Sequence, residues 1–343
     1  MTRRPPRWFI EVVAWAAALV LLGGVVVAVS GIIGTTTTTT QALGTEDDAA
    51  PVIETPPTAA PVATVVPQVT KAPVLPPSTP QKPVQRRATR PAMTIESVLG
   101  PPPGPQNDRV PAATAAPADR YAFLIGVTDY PAPTHDTIGA ANDVRFIYSS
   151  LLAAGWQRQN IKIYTDRQVT GAVTREGLRW LASKSTPGTF TFFHYSGHVK
   201  QVGGVEKLWP ADRDFVNDTE VASLLGPGTG RMWVDIAGCE AAGFMENLPS
   251  GHRLVTASST ASQKSYEYPE WGESVWTGLV FDLGLSQHQA DANKDGTTTI
   301  GEALRYAQYY AQAITLHQTP HGRQTPQIAG DDVLGWTLAN PPA

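Results

Sequence analysis

The sequence predicts an α/β protein: a mostly parallel sheet with helices on both faces. Three observations carry this reading. Beyond residue 119, short apolar runs alternate with segments of helical spacing. Two of these runs end in small residues, and each delivers one reactive side chain, His198 or Cys239. Nearly all the aromatic residues gather in 119–343, the part able to bury a core.

The chain before that part divides in two. Residues 1–34 have a basic start and then an apolar stretch. From 12 to 33 no residue is charged, and about 22 residues at 1.5 Å each span about 33 Å, enough for a bilayer core. Arg3, Arg4 and Arg7 precede this segment and Glu46, Asp47 and Asp48 follow it. The positive-inside rule then keeps the N-terminus cytoplasmic and exports the rest, giving a single-pass membrane protein. The alternative is a cleaved signal peptide ending at Ala28-Val29-Ser30; both readings place the C-terminal part outside the cytoplasm. Residues 35–118 hold 17 of the 30 prolines and no aromatic residue. They are expected to form a disordered, semi-extended linker.

In 119–343 the elements follow in order. Residues 120–127 read as a buried strand and 138–154 as a helix. A second strand spans 160–165, and Thr174 is expected to cap a helix running to 183. Strands follow at 188–195, 231–237 and 252–258, and helical spacing returns at 274–285 and 300–316. The net charge of −4 shows no nucleic-acid footprint.

Open parallel sheets bind ligands beyond the carboxyl ends of their strands. His198 follows the third predicted strand and Cys239 the fourth. Neighbouring strands lie about 4.8 Å apart, so both side chains would reach one crevice. A single cysteine forbids an internal disulfide and excludes Cys-rich zinc sites; its plainest role is a small buried hydrophobe. Beside an imidazole it becomes a nucleophile, because the imidazole takes the thiol proton and later gives it to a leaving amine. Small Gly197 and Gly238 suit backbone N–H groups facing an oxyanion.

At these residues the chain resembles the caspase-like cysteine peptidases, in particular bacterial metacaspase-like domains. YAFLIGVTDYP (121–131), GAANDV (139–144), FFHYSGHV (192–199), LWPADRD (208–214), VDIAGCEAAGF (234–244), LVTASSTASQKSYE (254–267) and QTPQ (324–327) occur in the family's order. The resemblance implies a caspase-like three-layer sandwich and peptide-bond hydrolysis by a Cys-His dyad. His198 would be general base and acid, and Cys239 the nucleophile. The N–H groups of Gly197 and Cys239 would form the oxyanion hole. It further implies cleavage after Arg or Lys through an acidic pocket, to which Asp143 would belong. Ala237 stands where the family has a second acid; Asp235, two residues back on the same strand face, is the expected substitute. Val199 replaces a glycine. Glu240 follows the nucleophile, where a carboxylate either opposes the thiolate or binds a basic substrate side chain.

Residues 291–302 (DANKDGTTTIGE) fit a twelve-residue Ca²⁺ loop, with Asp291, Asn293, Asp295, Thr297 and Glu302 as ligands. The competing reading is a polar turn with Glu302 in a capping box. No cofactor is expected for the chemistry itself. The sequence thus predicts a membrane-anchored, extracytoplasmic cysteine endopeptidase acting on a peptide or protein. The alternatives are an inactive peptide-binding domain of the same fold and a Ca²⁺-stabilised wall-spanning structural protein.

Overall fold

In the computed structural model, residues 113–248, 252–316, 322–330 and 333–339 are described. The predicted spanning segment 12–33 and the linker up to residue 112 lie outside them. Among the described residues no helix is long and apolar enough to cross a membrane.

Six strands form the main sheet: β1 (Arg120–Gly126), β2 (Ile161–Thr165), β3 (Phe190–Ser196), β4 (Arg231–Ala237), β5 (Arg253–Ala257) and β6 (Gln327–Ala329). Their spatial order is β6-β5-β4-β3-β1-β2. The first five run parallel, and β6 closes one edge antiparallel to β5. Helices connect most of the strands and cover both faces of the sheet. These are α1 (Ala140–Ala153), α2 (Gly171–Lys184), α3 (Asp218–Leu225), a helix at 275–286, called α4, and α5 (Ile300–Thr315). α4 widens to π-helical geometry over Gly278–Ser286.

Strand alternation sends successive side chains to opposite faces, which makes two cores. Ala122, Leu124, Phe192 and Trp233 pack with Val144 and Ile147 of α1, Phe281 of α4 and Leu304 of α5. Phe123, Ile125, Phe193, Tyr195, Val234 and Ile236 pack with Leu178 and Leu181 of α2 and Val221 of α3. Both strand faces are therefore apolar, as expected of a sheet covered on each side. The chain after β3 adds a separate three-stranded antiparallel meander, Val199–Val202, Val205–Leu208 and Val216–Asn217.

Two predicted boundaries are corrected. Thr174 is not a cap: Thr170 is, its side chain accepting from Val173 N, while Thr174 lies one turn inside the helix and donates to Thr170 O. Residues 114–115, assigned to the linker, pair with 336–337. Only three residues separate that pair from Asp119, so no apolar period marked it.

Candidate active site

The sheet register brings the two reactive side chains together. Ser196 at the end of β3 pairs with Ala237 at the end of β4, and His198 and Cys239 each follow two residues later. Close approach depends on glycine. A Cβ on Gly238 would lie 2.8 Å from Gly197 O, and one on Gly197 2.7 Å from the Tyr130 hydroxyl. Only residues without a Cβ fit at these two positions.

His198 is fixed from several sides. Its Nε2–H donates to His135 O at 2.7 Å, and its backbone N–H donates to the Tyr130 hydroxyl at 2.9 Å. The Tyr130 ring lies 4.7 Å from the imidazole, centroid to centroid. Tyr195 donates its hydroxyl to His198 O at 2.6 Å. A carbonyl accepts only, so Nε2 carries the proton and Nδ1 is the basic nitrogen. The loop presenting His135 is itself held: Asp136 accepts from Tyr130 N, and Arg213 Nη2 donates to Pro131 O and Ala132 O.

Cys239 is partly exposed, and its thiol lies 4.0 Å from Ser265 O. The turn behind it is secured by Ser258, which accepts from Gly238 N at 2.9 Å, and by Ser259, which donates to Gly238 O at 2.9 Å. Glu240 adopts left-handed backbone (φ 56°), which turns the chain sharply just after Cys239. Its N–H donates to Gln263 O at 2.8 Å.

The oxyanion expectation is corrected at Gly197. Its N–H donates to Ala237 O at 3.1 Å, continuing the β3–β4 ladder, and is not available to a substrate. Val199 offers the better donor. Val199 pairs with Leu208 and Trp209 N donates to His198 O, so Val199 sits in a non-hydrogen-bonded pair with its N–H pointing off the meander edge. Gln201 N–H, two residues on, points the same way and donates to Glu240 Oε2 at 3.0 Å. Val199 N thus points to the side on which Glu240, the neighbour of Cys239, lies.

Three acids expected to bind substrate are already engaged. Asp235 is fully buried, bonded to His194 Nδ1 at 2.7 Å, the Thr256 hydroxyl at 2.5 Å and Trp276 Nε1 at 2.9 Å. It faces α4, and the substitution for the family's second acid is withdrawn. Asp143 is also fully buried, accepting from the Ser196 hydroxyl at 2.6 Å and Ser274 N at 2.9 Å. Burial pushes its carboxyl up to about 6, against the hydrogen bond from Ser196. Glu240 is salt-bridged to Lys264 Nζ at 2.9 Å.

The side-chain oxygens of the 291–302 loop accept from the loop's own backbone N–H groups. Asp291 accepts from Asp295 N and Gly296 N, Asn293 Oδ1 from Asp295 N, and Asp295 Oδ1 from Thr297 N. Glu302 Oε2 accepts from Thr299 N and its hydroxyl in a capping box that opens α5, while Oε1 is buried without a partner. Among the described residues no group of three acidic, cysteine or histidine side chains could hold a metal. The capping box describes the part of this loop that Glu302 occupies.

Sequence reasoning missed Tyr130, His135 and Lys264. The first two act from a proline-rich loop without period, and His135 through its carbonyl, which any residue supplies. Lys264 lies inside a matched motif at a position the motif leaves open.

A parallel sheet that delivers a thiol and an oriented imidazole at adjacent strand ends defines a cysteine-hydrolase site. The comparisons are more specific: residues 119–327 match the caspase-domain model, and the chain belongs to that family. It is 34% identical over 227 residues to metacaspase-1 of Mycosarcoma maydis, covering 63% of this chain and 54% of that protein. It is 31% identical over 123 residues to metacaspase-9 of Arabidopsis thaliana, covering 31% of this chain and 38% of that one. Metacaspase-1A of Aspergillus oryzae is 26% identical over 240 residues, covering 65% and 54%. The chain thus spans about half the length of the relatives it matches most extensively.

Proposed function

We propose that the chain is a cysteine endopeptidase in which Cys239 attacks the scissile peptide carbonyl and His198 moves the proton. The His135–His198 bond carries this reading, because it commits Nε2 and leaves Nδ1 to take the thiol proton. The thiolate then bonds to the carbonyl carbon. Cys239 N–H and Val199 N–H stabilise the oxyanion. The C–N bond breaks as His198 returns its proton to the leaving amine. Water, deprotonated by the same imidazole, hydrolyses the acyl-enzyme. No metal enters any of these steps.

Asp143 supports a basic P1 preference only after the Ser196–Ser274 cover opens. The departure at Ala237 weakens the pocket further. The chain is also proposed to be held to a membrane by 12–33, with the peptidase domain outside the cytoplasm; the charge flanks of that segment support this. The test uses the full-length chain and peptides with Arg, Lys or Asp at P1, beside Cys239→Ala and His198→Ala. Cleavage by the parent chain, lost in both variants, is expected. Cleavage that survives Cys239→Ala would remove the mechanism. Absence of cleavage, with retained peptide binding, would favour the inactive-domain alternative.

A further inference from the structure

Glu240 places a carboxylate on the residue next to the nucleophile, which by itself would oppose thiolate formation. That carboxylate is not left alone. Its Oε1 is 2.9 Å from Lys264 Nζ, its Oε2 accepts from Gln201 N at 3.0 Å, and its own N–H is bonded to Gln263 O at 2.8 Å. Lys264 directly precedes Ser265, whose carbonyl meets the Cys239 thiol. One residue therefore ties the turn of Cys239 to two surrounding segments: the edge strand that carries Val199 N, and the loop after β5. The charged and titratable groups facing Cys239 are Glu240 on its own turn, Lys264 and Tyr266 on the loop after β5, and His198 at the end of β3.

We propose that Lys264 is a positioning residue for the nucleophile: held by Glu240, its ammonium offsets the adjacent carboxylate and balances the charge beside the Cys239 thiol. The electrostatics agree. Lys264 is pushed up first by its bond to Glu240, against burial, and further by its nearness to Cys239; Tyr266 is pushed up by burial and then by Cys239. This inference rests on Cys239 being the nucleophile of the proposed endopeptidase, but its readout needs no turnover.

Because Cys239 is the only cysteine in the chain, the rate of iodoacetamide alkylation reports one thiol. Followed from pH 5 to 10 on the full-length chain, its midpoint is expected to rise by about 0.5–1 unit in Lys264→Met. Below the midpoint, alkylation then slows about three- to tenfold. Lys264→Arg should restore the parent midpoint. Glu240→Gln should move it downward, and the double variant should return it toward the parent. A purely structural role for the pair would lower turnover in every variant without these opposite shifts. An unmoved midpoint in both Lys264→Met and Glu240→Gln overturns the inference. If Lys264→Met melts below the assay temperature, Lys264→Gln carries the same test. A parent chain that cleaves no peptide yet shows both shifts would overturn the peptidase reading, and with it the positioning role, and leave only the charge offset between Lys264 and Glu240 beside the Cys239 thiol.

Discussion

Tyr130 shows how much of the site rests on groups that do no chemistry. Its hydroxyl accepts from His198 N–H, and its ring flanks the imidazole. Tyr130→Phe keeps the ring and deletes the acceptor. A hydrogen bond of this kind is worth about 1 kcal/mol, so kcat is expected to fall about fivefold with KM little changed; an unaltered kcat would show that His135 suffices to hold the ring. Asp143 makes a prediction of a different sort. Its carboxyl is raised from an ordinary 3.8 to about 6, so the folded chain binds this proton more tightly than the unfolded chain does. That stabilisation is complete below about pH 4 and is lost as pH rises through about 6. Relative to Asp143→Asn, the parent should lose up to about 3 kcal/mol between those limits, read from urea midpoints at each pH. A constant difference across that range would contradict the raised carboxyl of Asp143.

At the scale of elements, the loop after β5 is the piece that closes the site. Glu267 accepts from Ile138 N and Gly139 N, both at 2.6 Å, and Asn142 donates to Gly272 O at 3.0 Å, so this loop is pinned to the start of α1. Charge-assisted bonds of this type are among the stronger ones. Glu267→Gln is therefore expected to speed amide exchange in 258–273 about tenfold while the strands stay protected; equal protection in both proteins would mean the loop is held by other contacts. The α5 turn gives the opposite expectation from the calcium motif. With Glu302 Oε2 already capping the helix, added Ca²⁺ or chelator should leave the melting temperature and turnover unchanged, and a clear rise with Ca²⁺ would restore the calcium site. The strands were legible because apolar runs and period two are local. β4 was predicted at its observed limits, 231–237. The capping residue of α2 was not, because Thr170 and Thr174 are alike in sequence and only the hydrogen bond to Val173 N separates them.

For the whole molecule, motif order and strand alternation were enough to place His198 and Cys239 on neighbouring strand ends, and the register bears this out. What sequence could not show is which polar groups are already satisfied. Asp235 looked available two residues from Ala237, but it is consumed by His194, Thr256 and Trp276, contacts from 21 to 41 positions away. Gly197 looked like an oxyanion donor until the ladder claimed its N–H. Such assignments depend on long-range pairing, which spacing does not encode. The account as a whole stands on Cys239 forming a covalent acyl bond with its substrate. The most direct measurement is intact-mass analysis of the full-length chain after brief reaction with a peptide p-nitrophenyl ester. One acyl group on Cys239, absent in Cys239→Ala and greatly slowed in His198→Ala, is the predicted result. An adduct on another residue, or acylation at the parent rate in His198→Ala, would contradict it.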